Sequence, residues 1–567
     1  MAIELSDLTF TDQDDIVPPS GVEPILNTGI ANTLVGNEII TGTWTISSNF
    51  YIGGPPQYYL AAISGFYNTG TLNTADGSDI ITGIIQNPDL LGYFIAAIYN
   101  EGGTIDTGDG NDIITGRYGV NDDVDPSTGY GIYSLGTIDT GDGDDLITGT
   151  APSNGGGISF RAADIITGNG NDTINGIGGV GLSTIDDNNI DTGNGDDIIT
   201  GTGMAGLQNR YSTINTSNGN DIITGSGTSD RGILNAGINP NEISIINTGD
   251  GNDIITGTST HNYGIDNSRS IIDTGEGNDV ITAIGSRSIS NEGTINTGKG
   301  EDSIISQGNF TNRGGVFLGD GNDSITADTD LPGRALENLN AIETGEGDDR
   351  ITSTGVIYNE GVINTDNGED SIISQGNFTN RGRVFLGDGN DLITANTNLP
   401  NRAIENFHFI ETGEGNDTIT STGVIYNEGF IDTGNGDDSI IVNGGVTENG
   451  TVYGIYNNGG SINTGNGNDS IIANGGFESG SNSSGSIFLG DGEDYIKGFG
   501  SGDFYGGNDK DTLELTSGTY TVEIWDTSTT FTKGNQLMIT SEFEKLKAGN
   551  ILYDFTSLTT GQIITVA

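Results

Sequence analysis

The chain has 567 residues, with 78 acidic against 18 basic side chains and a formal charge of −60. That balance excludes nucleic acid and anionic membrane surfaces as partners and points to cations. No cysteine is present, which excludes disulfides and thiolate metal sites, and the two histidines, His261 and His408, are too few for most zinc, copper or iron chemistry.

Residues 1–35 carry acidic residues and prolines (Asp12, Asp14, Asp15, Pro18, Pro19, Pro24) and read as an extended or loosely ordered N-terminal cap or tail. Met1-Ala2-Ile3-Glu4-Leu5-Ser6-Asp7 has neither a basic region nor a following apolar run, so no cleavable signal peptide is expected at this end. No stretch has the length and apolarity of a membrane span, and membrane insertion is not expected.

From Gly36-Asn37-Glu38-Ile39-Ile40-Thr41-Gly42 onward one unit recurs, and it is clearest at Ile105-Asp106-Thr107-Gly108-Asp109-Gly110-Asn111-Asp112-Ile113-Ile114-Thr115. The glycines permit positive φ and a tight turn, the aspartate sits on that turn, and the β-branched pair begins a strand. The turn aspartates fall at Asp79, Asp112, Asp145, Asp172, Asp197, Asp221, Asp253, Asp279, Asp302, Asp323, Asp349, Asp370, Asp391, Asp417, Asp438, Asp469 and Asp494, with Asp511 in a degenerate last copy. Spacings of mostly 21 to 33 residues suit one coil of a parallel β-solenoid and are too short and glycine-rich for a helical repeat. The expected fold is therefore all-β: a β-roll or β-helix of about 18 coils over residues 36–515, closed by a small β-rich cap.

Midway between turns lies a weaker signal, Ile357-Tyr358-Asn359-Glu360-Gly361 and its equivalents at Tyr99, Tyr426 and Tyr456. It predicts two strands per coil, one on each side of an Asn-Gly turn, with stacked isoleucines as the core. The asparagines Asn359, Asn427 and Asn457 either stack into an amide ladder or are plain surface turn residues. Residues 300–313 return as 368–381, and a 68-residue offset repeats through three coils. Duplication of whole coils suits a scaffold better than an enzyme with one fixed site. Residues 516–567 lose glycine and gain Trp525, Phe531, Phe543, Tyr553 and Phe555, which reads as the β-rich C-terminal cap.

Stacked turns lie about 4.8 Å apart, where two carboxylates repel by roughly 1 kcal/mol in water and 3–4 kcal/mol at an effective dielectric near 20. Such a column calls for neutralisation. Carboxylates and glycine-held carbonyls offer oxygen donors only, which suits Ca²⁺.

The turn resembles the glycine-rich nonapeptide of the RTX, or hemolysin-type calcium-binding, family, G-G-x-G-x-D-x-U-x. Thr107 to Thr115 matches it from the second glycine onward, with threonine in the first place; Gly506 to Leu513 keeps both leading glycines but has Asp509 where the third belongs. The resemblance spans roughly residues 70–515. It implies Ca²⁺ held between neighbouring turns with the turn aspartates as ligands, export through a type I secretion channel read from an uncleaved C-terminal signal, and folding outside the cell. A second calcium turn per coil, usual in the family, is absent here, so one column of ions along one edge is expected. Ala75, in place of a glycine, and the irregular turn at Asp511 set those two sites apart.

The expected function is a secreted calcium-binding protein of the cell surface or matrix, structural or adhesive and not catalytic, with cell-surface polysaccharide or a second copy of itself as further partners. Two other readings exist. A polysaccharide lyase or epimerase would draw on His261, His408 or the arginines Arg313, Arg381, Arg383 and Arg402. A face that binds ice or polysaccharide would use threonine rows such as Thr107, Thr140 and Thr192.

Overall fold

The computed structural model describes residues 2–18, 23–45, 64–86, 95–119, 129–239, 241–329, 333–397, 402–448, 451–480 and 485–567. The chain divides into two compact units, Met1–Gly308 and Asn309–Ala567. Each is a parallel β-solenoid.

A coil contains three strands, not the two expected. In the first unit one coil runs through Ile95–Asn100, Thr104–Asp106 and Ile113–Tyr118, and these lie in three separate sheets, here called first, second and third. The Asn-Gly corner joins the first sheet to the second, and the T-G-x-G-x-D turn joins the second to the third. The corner from the third sheet back to the first has no recurring residue signature, and for that reason sequence periodicity did not separate its two strands. Coil-to-coil pairing is parallel and in register, as in Ile105↔Ile138, Ile114↔Ile147 and Ile132↔Ile158.

Strict alternation places one isoleucine-rich column per sheet inside. Ile98, Ile105 and Ile114 are fully buried, and so are their counterparts Ile132, Ile138 and Ile147 one coil on. Three β-branched columns meeting along an axis make the core, and burying each side chain stabilises by about 1.5–3 kcal/mol before entropy is counted.

The asparagines form the ladder rather than a solvated turn. In the second unit Asn359 Nδ2 donates to Asn380 Oδ1 at 2.9 Å, Asn380 to Asn406 at 2.9 Å, and Asn406 to Asn427 at 2.9 Å. In the first unit Asn209, Asn235, Asn267 and Asn291 do the same at 2.8–2.9 Å. Each amide in these runs is satisfied by its copy. Between Asn100 and Asn209 the column is interrupted, with Ser134, Phe160 and Thr184 in the asparagine position.

The N-terminal segment is part of the first solenoid rather than a loose cap. Ile3–Glu4 pairs with Ile25–Asn27, Ile16–Val17 with the strand from Ile39, and Ile30–Asn32 with the strand from Thr71. At the other terminus the pairing changes sense: Gly518–Ile524 runs antiparallel to Thr529–Lys533 and to Ile563–Val566. The last parallel partners are Gln536–Ser541 and Lys545–Ala548. Antiparallel strands across the last coil remove an open sheet edge.

Candidate metal centre

The turn Thr107-Gly108-Asp109-Gly110-Asn111-Asp112 is shaped by its two glycines. Gly108 and Gly110 have φ of 75° and 145°. A β-carbon on Gly110 would stand 1.6 Å from the Gly77 carbonyl oxygen of the neighbouring turn, so only glycine lets the coils close up. Ala75 adopts φ 59° in the position Gly108 holds, and Asp509 adopts 85° in the degenerate last copy; both turns keep their shape with a strained residue.

The aspartates face inward. All the expected ligands, from Asp79 to Asp511, are at most 3% exposed. Each carboxylate oxygen Oδ1 accepts the backbone N–H of the preceding aspartate: Asp79 N–H to Asp112 at 2.7 Å, Asp112 N–H to Asp145 at 2.8 Å, Asp145 N–H to Asp172 at 2.8 Å. The same link joins Asp172, Asp197, Asp221, Asp253, Asp279 and Asp302 in the first unit. In the second unit it joins Asp323, Asp349, Asp370, Asp391, Asp417, Asp438, Asp469, Asp494 and Asp511. Two glutamates extend the columns. Glu38 donates its N–H to Asp79 at 2.7 Å, and Glu544 accepts the N–H of Asp511 at 3.0 Å. Glu38 was legible as a decayed copy; Glu544 was not, because no glycine turn precedes it.

The second oxygen, Oδ2, is the unusual atom. At Asp112, Asp145, Asp172, Asp349, Asp370 and Asp438 it is buried with no hydrogen-bond partner. At Asp197 and Asp221 the hydroxyls of Thr192 and Thr216 donate to it, the latter at 2.5 Å. This explains the threonine in the first position of the motif, five residues before the aspartate. It turns into the core, and Thr107, Thr140 and Thr192 are at most 1% exposed. These threonines therefore cannot form the outward binding rows expected of them.

Burial pushes the carboxyls up. Asp112, Asp172, Asp221 and Asp279 rise to about 7 and Asp197 to about 8, through desolvation first, with the backbone N–H, and at Asp197 and Asp221 the threonine hydroxyl, pulling the other way. In the second unit Asp370, Asp438 and Asp469 rise to about 7 for the same reason. Asp391 rises to about 8, and the residue five before it is Leu386, which has no hydroxyl to give.

Among the described residues no three Asp, Glu, His or Cys side chains converge as a metal cluster. The donor set is one of carboxylates with main-chain carbonyls. Among the described residues nothing donates a hydrogen bond to the Gly108, Gly110, Gly141 and Gly143 carbonyls. At Gly389 a β-carbon would stand 1.6 Å from Gly368 O and 3.2 Å from Asp391 Oδ1, so an unbonded carbonyl and a buried carboxylate meet in one space. Unpartnered Oδ2 atoms and an all-oxygen lining fit a hard cation such as Ca²⁺.

Outside this column the turn is finished by a second, exposed one. Asn111 Oδ1 accepts Asp144 N–H at 3.1 Å, Asp144 accepts Asn171 N–H at 2.9 Å, and Asn171 accepts Asp196 N–H at 2.8 Å. Any short side chain with an acceptor serves there, which is why Asn and Asp interchange.

Two of the arginines considered for catalysis stack on aromatic rings. The Arg381 guanidinium lies 4.3 Å from the Phe407 ring centroid and that of Arg402 lies 3.4 Å from Tyr426, each stacked on the next coil. His261 Nδ1 contacts the Thr260 hydroxyl at 2.7 Å and Thr228 O at 3.1 Å on the surface.

No protein-family model matches the chain, and no curated protein is significantly similar to it.

Proposed function

We propose that the protein is a secreted, calcium-responsive β-solenoid of the cell surface or extracellular matrix, structural or adhesive and not an enzyme. The observation that carries this reading is the set of fully buried turn aspartates, with Oδ2 atoms such as those of Asp112, Asp172, Asp349, Asp370 and Asp438 left without a hydrogen-bond partner, in a chain of charge −60. Ionised carboxylates in that position destabilise the coil unless a cation accompanies them. Asp79 to Asp302 in the first unit and Asp323 to Asp511 in the second, with the glycine carbonyls of the adjoining turns, are the residues that would hold Ca²⁺ between consecutive coils, in one column along each unit. Bound calcium would supply charge neutralisation and a link between coils.

Each site adds RT ln(1 + [L]/Kd) to the folded state, so many weak sites in series give a steep response to calcium. Such a chain stays unfolded where calcium is scarce and folds after export where it is plentiful. That behaviour suits the type I route implied by the RTX-like turns, with residues 516–567 as the export signal. Far-UV circular dichroism at pH 7.5 to 8 tests the proposal. Titration of the metal-free chain with Ca²⁺ should bring up the β signal, and calorimetry should count about one ion per junction between coils. A chain that keeps its full β signal in excess chelator at that pH overturns it.

A further inference from the structure

The third sheet of the first unit presents a flat face with almost no charge. Eight of its strands, from Ile80–Gln86 to Val280–Ile284, pair in unbroken register, with no bulge. The variable lengths of the coils fall at other corners, between the third and first sheets and between the first and second. Three outward columns result. The first is mainly isoleucine, as at Ile80, Ile113, Ile198 and Ile254; the middle is threonine except Asn175; the third mixes threonine, serine and isoleucine. Arg117 is the one charged residue at these outward positions. The second sheet differs, with Asp106, Asp139, Asp191 and Asp273 outward.

We infer that this face is where a second copy of the chain docks, sheet against sheet. Area, charge and hydrogen bonding point the same way. Eight strands about 4.8 Å apart and five residues long give a patch of roughly 34 by 17 Å, on the order of 600 Å² per copy. That reaches the low end of what a specific interface buries per partner, about 600–800 Å². Large apolar side chains stand open on it, with Ile177, Ile198 and Ile254 at 41%, 39% and 40% exposure.

Copies of charge −60 repel, but salt screens that repulsion beyond about 8 Å, so the charges at the contact itself decide. A face without carboxylates is the one that two such copies can join without burying unpaired charge. Among the described residues the Thr115, Thr148, Thr200, Thr224 and Thr256 hydroxyls have no hydrogen-bond partner. Each can both donate and accept, so a threonine column facing its own copy satisfies itself, while the isoleucine columns interdigitate. The face has no aromatic ring on which a sugar could stack.

Sedimentation velocity of the full chain in calcium buffer tests this. The wild type should sediment as a dimer. Thr200→Glu with Thr256→Glu sets like charges across the contact and should weaken the dimer by about a hundredfold or more, with an unchanged circular-dichroism spectrum. Thr224→Glu alone is the milder variant should the pair disturb folding. Thr213→Glu, outward on the second sheet, should leave the dimer intact. A wild type that stays monomeric at every accessible concentration overturns the inference. So does dimerisation that survives both third-sheet substitutions in folded protein. A monomer that instead arrests ice growth, or adsorbs to a neutral crystalline polysaccharide and loses that with Thr200→Glu/Thr256→Glu, assigns the face to that surface and equally overturns it.

Discussion

Dialysed free of divalent cations, the protein should lose stability as pH rises, and the aspartate columns set the window. Asp112 moves from 3.8 to about 7 on folding. A raised carboxyl favours the folded state fully below the unfolded value and loses that advantage as pH climbs through the folded one. Three units correspond to about 4 kcal/mol per site at full ionisation. Neighbouring sites in a column release protons in succession, and half that value is a fair working figure, about 2 kcal/mol. Asp112, Asp172, Asp197, Asp221 and Asp279 belong to one unit and rise to about 7 or 8. Together they would remove about 10 kcal/mol, comparable with the whole stability of a typical domain, 5–15 kcal/mol. Thermal melts followed by circular dichroism from about pH 5 upward should therefore show the metal-free melting temperature falling until the β signal is lost by about pH 7.5 to 8. Calcium should restore it most at the alkaline end. A metal-free melting temperature that is flat over the same range would refute the buried-carboxylate argument.

Other substitutions probe single links. Asp112→Asn keeps an Oδ1 acceptor for Asp79 N–H but cannot ionise; it should raise the chelated melting temperature at about pH 6, where the metal-free chain is still folded, and remove about one ion from the calorimetric count, two effects of opposite sense. Thr216→Val strips the hydroxyl that donates to Asp221 Oδ2 at 2.5 Å and should cost about 1–2 kcal/mol in urea unfolding of the metal-free chain at acidic pH. Asn380→Leu leaves the amides of Asn359 and Asn406 without a ladder partner, and a loss of about 1–3 kcal/mol in urea unfolding is expected with or without calcium. Gly110→Ala forces a β-carbon against Gly77 O at 1.6 Å; hydrogen exchange should show the turns around residues 77 and 110 opening while distant coils stay protected.

The sequence by itself determined the solenoid, the inward isoleucines and the position of every turn aspartate. All three follow from local rules: glycine where φ must be positive, alternation in a strand, and a fixed period where one coil copies the next. What only the tertiary structure decided is where the side chains at the turn point. Thr107 and Asp112 are five residues apart in a glycine-rich loop, and nothing in the string says that both fold inward. That depends on the backbone N–H of Asp79, one coil away, needing an acceptor at Asp112. The third strand of each coil was hidden for a similar reason: its corner is held by neighbouring coils rather than by a turn residue of its own. Outward Thr115 and inward Thr107 share a residue type and a β-branched preference. Their opposite faces are fixed by the pleat and by the corner between the second and third sheets, and so the threonines that face solvent are not the ones the repeat first draws attention to.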